Sequence, residues 1–164
     1  MNDQRLWKTL MVYQPWASMI SLGHKTVETR NHAAFNWLAG QQLAIHAGKR
    51  YDAAAWEFLV ESGFKAIRLL LLESVAPRGA IVAVCRVERA TWLLPSDEEA
   101  ACCATEGLFG LHLADVRALI EPVPMRGKQG VWTWRPPEGW SVESHTRPAI
   151  VTAATESTEE AGKG

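Results

Sequence analysis

The sequence predicts a small α+β domain, a mixed β-barrel of five to six short strands with two to three flanking helices. Three observations carry this expectation. Runs rich in apolar, β-branched and aromatic residues recur at short intervals, separated by Gly, Pro and polar punctuation. Segments between them have helical spacing instead of alternation. The 164 residues, 48% hydrophobic and 21% charged, suffice for one core and not for two.

Leu6–Tyr13 (LWKTLMVY) opens the chain as a strand. Pro15 suits a first helical position, where a missing N–H costs nothing. Trp16, Met19 and Ile20 then share one face of a short helix that Gly23 stops. In the strand after it, Thr26, Glu28 and Arg30 take one face and Val27 and Thr29 the other, with Lys25 at the corner. Asn31–Gly40 reads as a loop around Phe35 and Trp37. Gln41–Ala47 alternates as a strand, Leu43 and Ile45 inward, Gln42 and His46 on the other face; Gly48-Lys49-Arg50 then turns the chain.

Asp52 caps a helix that buries Trp56, Leu59 and Val60 and ends at Gly63. Lys65–Ser74 is a second helix or an irregular crossover, with helix preferred. Ala80–Val87 is a nearly unbroken apolar run, which places it centrally in the sheet. Ser96-x-x-Glu99 has the capping-box form and starts a helix through Ala104. Gly107 and Gly110 loosen the next segment. Val116–Val123 is a strand ended by Pro122 and Pro124, Met125–Gly130 a glycine turn, and Val131–Trp134 a closing strand with both tryptophans on one face. The domain is expected to occupy residues 1–138. The remainder, 139–164, is rich in Ser, Thr, Glu and Ala and reads as a disordered polar tail.

Seventeen Lys and Arg against eighteen Asp and Glu give a formal net charge of -1. That balance excludes a protein that coats itself in nucleic acid through bulk charge, and leaves a local patch or a pocket for one nucleotide. The three cysteines, Cys85, Cys102 and Cys103, form neither a disulfide framework nor a C-x-x-C zinc spacing. His24, His32, His46 and His112 share no metal-ligand spacing, and His145 lies in the tail, so no metal or cofactor is expected. No charged segment followed by an apolar run opens the sequence, and no run is long enough to cross a bilayer. A reducing, cytoplasmic setting without membrane contact is therefore the expectation.

The chemistry concentrates in Gln14–Arg30. Lys25, Glu28 and Arg30 converge on a region floored by the Trp16 helix. Left exposed, they would be an ordinary surface ion-pair cluster of little energetic weight. With Gln14, Trp16, His46 and Trp132 around them, they have the ingredients for gripping a flat polar ring: an aromatic face, neutral donors and charged edges. In the turn Met125-Arg126-Gly127-Lys128-Gln129-Gly130 two glycines allow close backbone approach, and Arg126 and Lys128 can hold phosphate. Trp132 alone suits a core position equally well. Lys49 and Arg50 read as a solvated turn, with phosphate contact as the alternative.

The run Gly23-x-Lys25-x-x-Glu28-x-Arg30, preceded by Gln14-Pro15-Trp16-Ala17, resembles the signature of the ASCH domain family, whose barrel is related to the PUA RNA-binding domains. The resemblance covers about Leu6 to Trp134. It implies a PUA-like barrel whose cleft, lined by Lys25, Glu28 and Arg30, binds RNA or a modified nucleoside; it names no protein partner. One branch of the family hydrolyses the acetyl amide of 4-acetylcytidine nucleosides, with a threonine nucleophile, a lysine matching Lys25 and a later glutamate. Here Glu28 stands at the threonine position, which removes the expected nucleophile. Thr29 is expected on the opposite face. Glu106 is the nearest counterpart of the later glutamate, with Glu88 as rival. For an enzyme, the candidate set is Lys25, Glu28 and Glu106, with a carboxylate activating water and Lys25 as its electrophilic partner, a route that the family match itself does not supply. A metal-independent ribonuclease and an interaction module that binds no nucleic acid are the remaining alternatives.

Overall fold

Alternating apolar runs do become strands in the computed structural model, which describes residues 5–143. The elements among those residues are β1 (Trp7–Gln14), α1 (Trp16–Ser21), β2 (Val27–Arg30), β3 (Gln42–Tyr51), α2 (Ala53–Glu61), β4 (Ala80–Trp92), α3 (Glu98–Ala101), β5 (Phe109–Pro124) and β6 (Val131–Trp134). The six strands form one mixed sheet in the order β2-β5-β4-β3-β1-β6, with β1 and β3 parallel and the other pairs antiparallel. The α+β class and the strand number agree with expectation. The sheet is not closed into a barrel: no ladder among the described residues joins β2 to β1 or β6. It curls nonetheless, because Arg30 on β2 donates to the carbonyl of Met11 on β1, 2.9 Å away, although three strands separate them in the sheet order.

Both faces of the sheet are covered, which explains the nearly continuous apolar reading of β3 and β4. Leu10, Val12, Leu43, Ile45, Ala83, Cys85, Leu111 and Leu113 enclose Ala17 and Ile20 of α1 on one face. On the other, Trp7, Ala44, Ile81, Val84, Leu119 and Trp134 pack with Trp140 and Val142. Residues 139–143 thus belong to the packed body, through the Trp140 ring and a bridge between Leu119 and Val142. The rest of the expected tail, 144–164, lies outside the described residues.

Several local expectations are corrected. Gly48-Lys49-Arg50 does not turn the chain but continues β3. Val12 pairs with Ala47 and Gln14 with Tyr51, so Tyr13 alone faces those three residues; the turn-prone tripeptide is absorbed as a bulge. Lys65–Ser74 is not a helix beyond a single 3-10 turn at Lys65–Ile67. Side chains bind carbonyls along the segment, that of Arg68 accepting from Trp56 Nε1 as well as from the Leu71 N–H and that of Leu71 accepting from the Tyr51 hydroxyl. Asn36–Leu38 forms a 3-10 turn within the expected loop. Asp52 caps α2 as predicted, accepting from the Ala55 N–H at 3.0 Å, but Ala55 and Leu59 are the buried residues, with Trp56 and Val60 only half-buried.

The expected capping box falls instead on a 3-10 turn, Pro95–Asp97, where Asp97 and not Ser96 accepts from the Leu94 N–H; α3, which follows, has no side-chain cap. α3 stops after four residues because Cys102 takes a left-handed conformation, φ 58°. Gly110 does not loosen its segment; it lies inside β5, opposite Thr29 on one side and Thr91 on the other. A side chain there would collide with Leu93 and lie 2.8 Å from Val27 Cγ1, so glycine is required for close packing. Gly110→Ala is expected to lower stability by about 1–3 kcal/mol, read as a fall in the urea midpoint; an unchanged midpoint would mean that Leu93 and Val27 can yield without cost.

Candidate functional site

The site begins with the way α1 is held. Gln14, fully buried, accepts from the Ser18 N–H through Oε1 at 2.9 Å and donates from Nε2 to the Pro77 carbonyl at 2.6 Å. Both ends of its amide are committed to anchoring α1, so it does not face a ligand as predicted. Ala17, Met19 and Ile20 are completely buried, which leaves Trp16 displayed at the edge. Beyond the helix, Gly23 adopts φ 83° and the N–H groups of His24 and Lys25 both donate to the Met19 carbonyl. This tight C-cap swings Lys25 inward.

Lys25 is 2% exposed. Its Nζ donates to the Ala101 carbonyl at 2.6 Å and lies 5.1 Å from the centroid of the Trp16 ring. Ala101 ends α3, where carbonyls have no partner inside the helix; Lys25 satisfies this one and the Thr26 N–H satisfies that of Ala100. On β2, Glu28 is buried and ion-pairs with Arg30 at 3.1 Å. Arg30 spans to the Met11 carbonyl and rests over Phe35, 5.8 Å from the ring centroid.

Between β1 and β2, where the curled sheet fails to close, these side chains line a cleft of about 340 Å³. Met11, Val12 and Tyr13 form one wall; Glu28, Thr29 and Arg30 form the other; Trp16, Lys25 and Cys103 complete it. Two cations and one carboxylate therefore meet an indole and a phenol in one hollow. Trp16, Lys25, Glu28 and Arg30 come together as the sequence predicts. Tyr13, Thr29 and Cys103 are lining residues that the sequence does not single out. Strict alternation puts the Thr29 side chain on the opposite face, yet the residue borders the cleft from its place between Glu28 and Arg30 on β2.

The remaining candidates lie elsewhere. His46 is 1% exposed, bonded through Nε2 to the Met125 carbonyl at 2.8 Å and set edge-on against Trp132. Neither ring lines the cleft, contrary to expectation, because the face of β3 that carries His46 is buried under the turn before β6. Arg126, Lys128 and Gln129 are exposed on that turn, and Lys49 is exposed on the β3 bulge. Glu106 and Glu88 are exposed, and neither lines the cleft. No three His, Cys, Asp or Glu side chains among the described residues group as a metal site, and no described helix is long and apolar enough to cross a membrane.

The open six-stranded sheet with a helix plugging one face and a cleft at its seam is an α+β fold. More narrowly, it is ASCH-like. The chain is similar to the crystal structure of ASCH from Zymomonas mobilis, with a TM-score of 0.51 and 14% identity over 78% of this chain and 87% of that one. It is equally similar to two single-site mutants of that protein, with TM-scores of 0.51, identities of 13% and 14%, and coverage of 80% and 82% of this chain and 91% and 92% of theirs. The chain matches no family model and no curated protein.

Thiol chemistry offers a check on the cleft. Burial pushes the Cys85 thiol up to about 12. Burial also raises that of Cys102 to about 11, against the opposing pull of the Lys25 charge. At neutral pH both are protonated and unreactive, whereas Cys103 is half-buried on the cleft wall. Iodoacetamide is expected to modify Cys103 first in the folded protein, with Cys85 and Cys102 reacting only on denaturation, as read by peptide mass mapping. Early labelling of Cys85 would contradict the burial described.

Proposed function

We propose that the β1–β2 cleft binds a single base, within RNA or as a modified nucleoside. The observation that carries this reading is the burial of Lys25 and Glu28 against Trp16, in a hollow at the small end of the roughly 300–1,000 Å³ range of ligand pockets. A flat heterocycle matches such a site. Its face stacks on an indole, worth ~1–3 kcal/mol, while its edge presents the donors and acceptors that Glu28, Lys25 and Arg30 complement. Arg30 keeps a further donor, since its buried Nε has no partner among the described residues. The ASCH-like fold supports the same reading.

Glu28→Gln preserves shape while removing charge. It is expected to weaken binding of the preferred nucleoside roughly 10- to 100-fold, because a charged hydrogen bond disappears. Trp16→Leu is expected to weaken it by ~1–3 kcal/mol. Calorimetric titration with free nucleosides and short RNAs reads both. Failure of every nucleoside and RNA to bind would leave the cleft to a partner other than nucleic acid.

One observation favours a second reading: Thr29 lines the same cleft as Lys25 and Glu28. As an amidohydrolase on an acylated nucleoside, the site would use Glu28 to activate water or the Thr29 hydroxyl, and Lys25 to stabilise the oxyanion of the tetrahedral intermediate. Release of cytidine from 4-acetylcytidine, abolished in Glu28→Gln, would establish this chemistry. Absence of turnover from a bound acylated nucleoside would reduce the cleft to binding.

A further inference from the structure

The rim of the cleft carries a second feature that recognition of one base does not use. Tyr13 lines the cleft yet is 43% exposed, and the Arg50 guanidinium lies over its ring, 5.3 Å from the centroid. The bulge creates this pair. Tyr13 alone faces Gly48-Lys49-Arg50, so exposed Arg50 is brought over the phenol instead of continuing the ladder.

Two glycines keep the adjoining surface low. A Cβ on Gly48 would sit 3.1 Å from Met11 Sδ and 3.2 Å from Tyr13 Cδ1, and one on Gly127 would sit 3.0 Å from the same sulfur. The Met11 side chain therefore stands where the cleft, the bulge and the glycine turn meet. Exposed Arg126 and Lys128 flank Gly127, and exposed Lys49 adjoins Arg50. Of the two carboxylates that act on Tyr51, next to Arg50, Asp52 caps α2 and Glu73 pairs with Arg78 at 3.1 Å. Arg50 is thus tied to the cleft through Tyr13, while Lys49, Arg126 and Lys128 neighbour in sequence the two glycines that close on Met11.

We propose that this rim is a second subsite, which takes the phosphodiester backbone of a single-stranded oligonucleotide whose adjoining base occupies the cleft. Guanidinium is suited to the task, because its planar fork engages phosphate oxygens in pairs and its face stacks on a base or a phenol. The inference rests on the base-binding reading and sharpens it: the preferred ligand is a strand and not a free nucleoside.

The test titrates the full chain with the four ribonucleosides and with short single-stranded ribo- and deoxyribo-homopolymers, over a range of salt, using wild type and Arg50→Gln. Arg50 is exposed, so the variant keeps the fold, which circular dichroism verifies. The strand is expected to bind at least about tenfold tighter than its nucleoside. Arg50→Gln removes most of that advantage, reduces nucleoside affinity far less, and flattens the salt slope by roughly 0.7 for each phosphate that the variant no longer neutralises. A preference for ribose or for deoxyribose strands identifies the polymer and supports the subsite either way. Equal affinity for strand and nucleoside, or a strand advantage untouched by Arg50→Gln, overturns the subsite while leaving the base pocket standing. If neither ligand binds, both readings fall.

Discussion

An ammonium group buried beside an indole is the constraint on which the rest of the cleft depends. Desolvating a cation costs several kcal/mol unless fixed partners replace its water. Lys25 has two such partners, the terminal carbonyl of α3 and the face of Trp16. Each must be in place for the other to help. The Gly23 cap aims the lysine, the left-handed Cys102 ends α3 with its carbonyl free, and α1 presents the indole. The helix-stop-strand motif is therefore a structural joint as well as a candidate binding element, because one side chain locks three segments together.

The second constraint is the seam itself. A sheet that curls without closing leaves strand edges facing each other across a gap, and unpaired backbone there must find partners. Arg30 spans the gap to the Met11 carbonyl, and Glu28 holds Arg30 from the same strand. The opening is thus kept at a fixed width by charged side chains that also form its wall. A ligand entering the cleft would meet groups already oriented, with little left to order on binding.

Much of this is legible from residue order. The short helix Trp16–Ser21 with its glycine stop, the Asp52 cap, the central position of β4 and the closing strand Val131–Trp134 follow from local chemistry that tertiary contacts reinforce, although Pro15 caps the helix instead of opening it. The convergence of Trp16, Lys25, Glu28 and Arg30 is visible because a tight cap and a short strand leave few alternatives. His46 and Trp132 fall outside the cleft because alternation tells which residues oppose one another, and not which face a later loop will cover; Gln14 does so because its amide anchors α1. Lys49-Arg50 reads as a turn because a bulge and a turn draw on the same residues. The irregular path of Lys65–Ser74 depends on partners distant in sequence, Trp56 and Tyr51, which no local pattern announces.

On the outer face, the Trp140 ring meets Trp7 at 6.0 Å and Trp134 at 5.6 Å, both edge to face. It works as a keystone between the first strand and the last. A shortened gene product that ended at residue 138 would retain every named strand and still uncover two indoles at a sheet edge. Such a fragment would invite self-association, so the folded unit extends past residue 138 to include Trp140.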